Sequence, residues 1–518
     1  MRIVYNSILN RLYFSRFSPL PKNKELNHHS GCFQTFHNLS RPSARIKGFK
    51  YQSHFRIRNK TSSNLVYHHL KTLRNFGSTR IFRSSDGTVG TTISGSITDQ
   101  TQKHPSLSSP ILSRHLFLIS GLVFSIVIVG GLTRLTESGL SITEWNLISG
   151  ILPPLDERSW QDEFEKYRST PEWKLLNQSI GLDQFKTIYY WEWAHRMIGR
   201  LIGIGFLVPI PILMRRGLIR GRQIGWSLVG IGALIGAQGG LGWYMVKSGL
   251  NQVELDQRDG VPRVSQYRLA AHLLMAFAVY SACLRLAGGI RRDWRLAVEH
   301  KPLDSQRSSI KTLGPSSATM DSIRLLQSKL SGRARIYINL LTGLVFITAG
   351  SGAFVAGLDA GLVYNTYPKM GDNWIPPISE LIVQKISDRN LREGEVSRLS
   401  FLRNFFENPT TVQFDHRVLG ASTFASTMAW LGYVYKNREK LPLATIRWSK
   451  RMAMMACVQV GLGISTLVYL VPTSLAAAHQ AGSLLLLSLS LGCGLSLRRP
   501  SPRALKEYQK WLNSSKKN

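Results

Sequence analysis

The chain has 518 residues, 43% of them hydrophobic, with 65 Lys+Arg against 30 Asp+Glu and a formal net charge of +35. That length would suit three soluble domains, but the apolar residues gather into long segments, which excludes that reading. The basic excess is distributed loop by loop in the pattern of a membrane protein, which excludes a nucleic-acid binder. The four Cys (Cys32, Cys283, Cys457 and Cys493) are scattered and make no CxxC pair and no iron–sulfur or zinc ligand set.

Residues 1–85 hold one acidic residue, Glu25, against sixteen Lys+Arg, and are rich in Ser, Asn and Arg. An Arg-rich, Ser-rich, acid-poor leader without a compact apolar core predicts a mitochondrial transit peptide. "TRIFRSS" (79–85) is the expected processing neighbourhood, and the leader with its Ser/Thr/Gly-rich lead-in is assigned to residues 1–100. Eight apolar segments follow, near 116–134, 195–214, 224–246, 268–290, 336–357, 416–435, 452–470 and 474–497. A membrane span needs about 20 mostly apolar residues, and each segment meets or approaches that. The expected fold class is therefore an all-α polytopic membrane protein with eight transmembrane helices.

Loop charge predicts orientation. "RRGLIRGRQ" (215–223) has four Arg and no acid; 291–335 has ten Lys/Arg and four acids; 436–451 has six and one; the tail 498–518 has seven and one. The opposite loops, 135–187 and 358–413, carry nine acids against five Lys/Arg and seven against six. Basic loops stay inside, so both termini are expected in the matrix, with a multi-pass chain in the mitochondrial inner membrane.

The sequence repeats itself. "EWAHRMIG" (192–199) returns as "QFDHRVLG" (413–420), "QGGLG" (238–242) as "QVGLG" (459–463), and "AAH" (270–272) as "AAH" (477–479). "ESGLS" (137–141) is echoed by "DAGLV" (359–363), and each runs on to a Pro-Pro pair, Pro153-Pro154 and Pro376-Pro377. Two pseudo-symmetric four-helix bundles are expected, 110–290 and 336–500, joined by a matrix linker 291–335 and followed by a matrix tail 501–518. Four is even, so both bundles enter the membrane in the same sense, as a parallel repeat about the membrane normal.

Of thirteen His, six lie in the leader and His104, His115 and His300 are placed in loops or tails. His195, His272, His416 and His479 remain, and are expected to open the second, fourth, sixth and eighth helices at one depth. Two His per half on different helices suit the axial positions of a haem iron held between helices. Gly239, Gly240, Gly242, Gly461 and Gly463 would admit a large flat ligand, or equally close helix packing. Arg196 and Arg417 each follow a candidate ligand; they could pair with haem propionates or snorkel to the interface. Glu192 lies three residues before His195, on the same helix face, and its counterpart is Gln413, which cannot ionise. Glu192 could move protons at a reacting group, or could be an ion-pair partner of Arg196 or Arg200.

"EWAHRMIGR", "DHRVLG", the two "AAH" histidines and "TRLTESGLSITEW" (133–145) resemble the heme A synthase family over residues 110–500. The resemblance implies an oxidoreductase that converts the ring-D methyl group of heme O to a formyl group, giving heme A for cytochrome c oxidase. By position, it implies His195 and His272 as axial ligands of the substrate heme O, His416 and His479 as axial ligands of a heme b cofactor, and Glu192 as the catalytic carboxylate. It further implies mitochondrial ferredoxin and its reductase as electron source, and heme O synthase and cytochrome c oxidase assembly factors as partners. Many bacterial members carry a Cys pair in the first external loop; residues 135–187 here have no Cys. From the residues alone, a bis-His electron relay, a haem transporter and a carrier without haem stay open, as does a homo-oligomer.

Overall fold

The computed structural model describes residues 106–145, 152–250, 264–300, 315–383 and 398–515, all within the compact unit Thr98–Asn518. The expected leader and residues 301–314 of the expected linker lie outside the described residues. The described residues are helical: α1 (Pro110–Leu135), α2 (Glu157–Arg168), α3 (Pro171–Leu175), α4 (Leu182–Leu207), α5 (Pro209–Arg215), α6 (Arg222–Gly249), α7 (Gln266–Ala297) and α8 (Pro315–Gln327). There follow α9 (Lys329–Gly357), α10 (Ile378–Leu381), α11 (Arg398–Glu407), α12 (Pro409–Lys436), α13 (Leu443–Val468), α14 (Thr473–Ser496) and α15 (Pro502–Ser515).

Local chemistry fixes the helix starts. Ser109 and Asn408 cap α1 and α12, each accepting from a backbone N–H two residues on, with a proline in the first helical position. Ser328 caps α9 through Ser331 N–H. The second long helix begins at Leu182, well before the apolar run at 195–214 that sequence reading singled out. Its first three turns, "LDQFKTIYYWEW", are amphipathic and aromatic, and pack on the preceding loop instead of lipid. At Pro209 the missing N–H divides it into α4 and α5. His115, expected in a loop, lies inside α1.

Among the described residues, seven helices are long and apolar enough to cross a membrane: α1, α4 with α5, α6, α7, α9, α13 and α14. α12 matches them in length, at 28 residues, but Ser422, Thr423, Ser426, Thr427 and its Trp and Tyr residues lower its hydropathy. Several of these polar groups turn inward. Thr427 and Thr423 are buried, Thr427 donates to the Thr423 carbonyl, and Thr423 meets Thr348 of α9 at 2.7 Å. The spans keep apolar side chains pointing out, including Leu118, Ile204, Leu340 and Met454, each more than 60% exposed. Helices apolar on their outer faces as well as their inner ones need lipid around them.

α1 packs on α4, α7 and α14; α7 packs on α6, α9 and α14; α9 packs on α12 and α14. α4 also meets α6, and α13 meets both α12 and α14. The core runs through the centre of this array, with Leu116, Ile119, Phe277, Cys283, Ile338, Leu484 and Cys493 buried. Polar cross-links tie the central helices: Ser113 donates to the Ala287 carbonyl at 2.8 Å and Gln480 to the Val127 carbonyl at 2.7 Å. At one end, α2 and α3 cover the start of α4 through an aromatic cluster of Trp160, Tyr167, Phe185 and Tyr189. At the other end, α15 seats Ala504 and Tyr508 against Leu296 and Ala297 of α7.

Candidate active site

The four histidines form two pairs. His195 of α4 faces His272 of α7, ring centres 6.3 Å apart and planes at 67°. His416 of α12 faces His479 of α14, 6.4 Å apart and at 86°. None opens its helix, as sequence reading expected; each sits at least a turn and a half inside.

Each imidazole is seated against a glycine of a neighbouring helix. A Cβ at Gly130 would lie 3.0 Å from Nε2 of His195, and one at Gly352 would lie 3.1 Å from His416. A Cβ at Gly242 would come within 3.3 Å of His272, and one at Gly463 within 2.9 Å of His479. Gly242 and Gly463 were singled out in the sequence. Gly130 and Gly352 were not, although "VGGLTRL" (129–135) and "GSGAFVAG" (350–357) carry the signal. Gly239, Gly240 and Gly461 border open space, where an added methyl group would meet nothing within 4 Å.

The backbone of each later histidine is also held. Gln238 donates to the His272 carbonyl at 3.1 Å, and Gln459 donates to the His479 carbonyl at 2.8 Å. The ring environments differ. Nδ1 of His416 lies 2.7 Å from the Ser351 hydroxyl, and Nδ1 of His479 lies 3.2 Å from the Gln459 amide. Nδ1 of His272 is buried without a partner.

The pairs fit an iron macrocycle. Two imidazoles on opposite sides of one metal place their ring centres about 6 Å apart. That follows from two metal–nitrogen bonds of roughly 2 Å plus about 1.1 Å from each nitrogen to its ring centre, given ring bonds near 1.33 Å. The observed separations match. Among the described residues no three His, Cys, Asp or Glu side chains converge on one point. Each pair offers two imidazole donors, the number a porphyrin iron leaves for the protein to supply.

Glu192 is 3% exposed and accepts four hydrogen bonds. Oε1 takes Nε and Nη2 of Arg196 at 3.1 and 2.7 Å; Oε2 takes the Ser141 hydroxyl at 2.8 Å and the Ile142 N–H at 2.9 Å. Arg196 also donates to the Ile142 and Glu144 carbonyls and lies over the Trp145 ring. All three of its side-chain nitrogens therefore have protein partners, and Glu192 and Arg196 together fasten the segment after α1 onto α4. Beside His416, Gln413 and Arg417 do related work: both donate to the Tyr364 carbonyl at 2.9 Å, and Arg417 also reaches the Lys369 carbonyl. Nε of Arg417 and Oε1 of Gln413 are buried without partners. The clamp is thus shared, but only the first has a carboxylate in it.

A residue that sequence reading passed over lies nearby. Glu172, in α3, is 4% exposed, and its Oε2 has no partner. Burial pushes its carboxyl well above the usual carboxylate range, and the Glu192 and Glu137 charges push it further, against a smaller opposing pull from Arg134. Its only sequence signal is an acid two residues into a Pro-started helix, which any exposed helix could share.

The family model for cytochrome oxidase assembly proteins matches residues 113–491. The chain is 43% identical over 381 residues to heme A synthase COX15 of Saccharomyces cerevisiae, covering 74% of each protein. It is 44% identical over 390 residues to heme A synthase COX15 of Bos taurus, covering 75% of this chain and 82% of that one. It is also 41% identical over 421 residues to a heme A synthase–mitochondrial ferredoxin fusion protein of Schizosaccharomyces pombe, covering 80% of this chain and 64% of the fusion. Glu192 and both histidine pairs fall inside the matched span, and the chain belongs to the cytochrome oxidase assembly protein family.

Proposed function

We propose that this chain is a heme A synthase, an oxidoreductase that converts the ring-D methyl group of heme O to a formyl group for cytochrome c oxidase assembly. The observation that carries this reading is the matched pair of bis-histidine sites with a carboxylate beside only one of them, in a chain 43% identical to heme A synthases. His195 and His272 would hold the iron of the substrate heme O. His416 and His479 would hold a heme b cofactor, which supplies one-electron transfer when bound.

The protein's own residues position and protonate. Converting CH3 to CHO removes two hydrogens and adds one oxygen atom at that carbon, and protons are exchanged as the oxygen is inserted and the diol loses water, so a group that can accept and return a proton is needed close by. Glu192 is assigned that role in the first site. Both of its oxygens are already hydrogen-bonded, so taking a proton at Oε1 requires Arg196 to give way, and at Oε2 requires Ser141 to turn. Arg196 and Arg417 hold the external loops closed over the two sites; Nε of Arg417, buried without a partner, is the donor left to meet a propionate.

The wider architecture follows from the same reading. α12 counts as an eighth span, and the two arrays (α1, α4, α6, α7 and α9, α12, α13, α14) are two parallel four-helix bundles. The corresponding glycine, glutamine and histidine contacts support this. Residues 1–100 act as a mitochondrial transit peptide, 291–335 as a matrix linker and 501–518 as a matrix tail. Both termini lie in the matrix, with the two histidine pairs towards the outer face of the inner membrane. Mitochondrial ferredoxin and its reductase are the electron source, which balances with dioxygen as co-oxidant: each hydroxylation then consumes two electrons and two protons and releases one water. The fission-yeast relative in which synthase and ferredoxin are one polypeptide supports this partner.

The test is haem extraction from membranes of a strain lacking its own heme A synthase and carrying Glu192→Gln. Heme O should accumulate and heme A disappear while the protein keeps its b-type haem spectrum. Normal heme A would remove Glu192 from the chemistry. Release of unchanged haem by wild type would favour a carrier.

A further inference from the structure

A cavity of 1220 Å³ opens at the end of the helices opposite the histidine pairs, between the start of α6, the end of α7, the start of α9 and the residues after α14. Its lining is rich in arginine. Arg285 comes from α7 and Arg335 from α9, with Arg498, Arg499 and Arg503 from the chain after α14. Arg220 and Arg222 stand at the entry to α6. Asp293 is the single carboxylate among the described residues of the lining, and it is already engaged by Arg498 at 3.4 Å and by the Ser501 N–H. Arg335 donates to the Leu497 and Leu326 carbonyls, which orient it without cancelling its charge. Arg499 acts on Arg335 as a like charge, and an anion held between guanidiniums offsets such repulsion.

The depth of the cavity tells which anion. From Arg222 its wall runs along α6 to Leu234, about 18 Å at 1.5 Å per residue. The apolar part of the lining is Ile231, Leu234, Ala282, Leu286, Ile290 and Leu495; Arg285 stands among them on α7, about 18 Å from the end of that helix, and the other arginines lie nearer the helix ends. A small soluble anion would fill only the basic mouth and leave the apolar walls bare. An amphiphile fills both, with phosphate oxygens in the guanidinium forks and acyl chain along the helices. Basic membrane loops alone need no explanation; a cavity with six arginines near the helix ends and aliphatic side chains along its deeper walls does.

We propose that this cavity binds an anionic phospholipid, with a headgroup carrying more than one phosphate, at the matrix-side end of the helices. The proposal does not depend on the catalytic assignment of Glu192 or of the histidines.

The experiment uses full-length protein, purified with its haem in a zwitterionic detergent and stripped of lipid. Thermal unfolding is followed with added diphosphatidylglycerol, phosphatidylcholine or inorganic pyrophosphate. Diphosphatidylglycerol should raise the midpoint and the other two should not. In Arg222→Gln/Arg499→Gln the apparent affinity should fall about tenfold or more, as loss of two charge-assisted contacts implies, with the haem spectrum unchanged. An equal rise with pyrophosphate would make this a soluble-phosphate site, and a rise untouched by the double substitution would make it a bulk effect; either overturns the proposal. Because the double variant could fail to fold, wild type is also labelled with a photoactivatable diphosphatidylglycerol. Crosslinks should fall in residues 224–234 or 282–290, and labelling confined to other segments overturns the proposal equally.

Discussion

The Arg196 guanidinium lies 2.7 Å from the Glu192 carboxylate, one turn away on α4, and reaches past it to the carbonyls of Ile142 and Glu144. Both side chains are nearly inaccessible, at 9% and 3% exposure. Removing one member of such a pair leaves the other charge buried and alone, at a cost of roughly 3–5 kcal/mol. Arg196→Ala should therefore damage stability more than Glu192→Gln, which keeps an oxygen for Ser141 and the Ile142 N–H. Heating each detergent-solubilised variant and following loss of the haem spectrum checks this. Equal midpoints would mean that the ion pair does not anchor the loop.

The parts of this site that could be read from sequence are those the repeat marks. The four histidines and the Glu192/Gln413 contrast stand out when "EWAHRMIG" is laid on "QFDHRVLG". What hydropathy misplaced was the start of α4, since its first turns bury Phe185 and Tyr189 against Trp160 and Tyr167 and not against lipid. α12, read in the sequence as the apolar segment 416–435, is less apolar than the other spans, and its threonines bond inward to α9. Glu172 was invisible because its role depends on what α2 and α3 fold over, and a short helix with an acidic first turn reads as solvated surface.

The glycine seats give a graded test. A methyl group at Gly352 would lie 3.1 Å from the His416 ring and one at Gly463 would lie 2.9 Å from His479, whereas one at Gly461 meets nothing within 4 Å. Gly352→Ala and Gly463→Ala should turn an imidazole away from its partner and, with heme b at this pair as proposed, lower haem retention about tenfold, the low end for disturbed ligand orientation. Gly461→Ala, on the same helix as Gly463, should retain haem like wild type. Haem per protein by absorbance after purification is the measurement, and equal losses in all three would point to helix propensity or lipid contact instead.

Ser351 distinguishes the two sites chemically. Its hydroxyl is 2.7 Å from Nδ1 of His416, whereas the residue before Gly130 is Val129, which has no hydrogen-bonding side chain. If Nε2 faces the iron, Nδ1–H donates to the serine and the ring becomes a stronger donor to oxidised iron. Ser351→Ala should then raise the midpoint potential of the haem proposed for the His416/His479 pair. A hydrogen bond contributing about 1 kcal/mol corresponds to a shift on the order of 40 mV for one electron. Spectroelectrochemical titration reads this directly, and an unchanged potential would mean that the contact does not reach the metal.

Glu172 predicts a pH dependence of known sign. Its folded carboxyl titrates well above the ordinary glutamate value of 4.5, first because of burial and then because of Glu192 and Glu137. Between 4.5 and the raised folded value, the native state holds a proton that the unfolded chain has released. Stability therefore falls as pH rises through that window: the buried acid is tolerated fully below pH 4.5, and its cost grows above it. Glu172→Gln keeps the shape and hydrogen-bonding reach of the neutral acid but cannot ionise. The variant should match wild type in unfolding midpoint near the low end of the window and exceed it increasingly towards neutral pH. Tyr167, whose hydroxyl is held up by burial and by the Glu172 charge, should titrate lower in the same variant, which ultraviolet absorbance can follow. A gap between variant and wild type that stays constant with pH would mean that Glu172 is solvated and that α2 and α3 do not close over it.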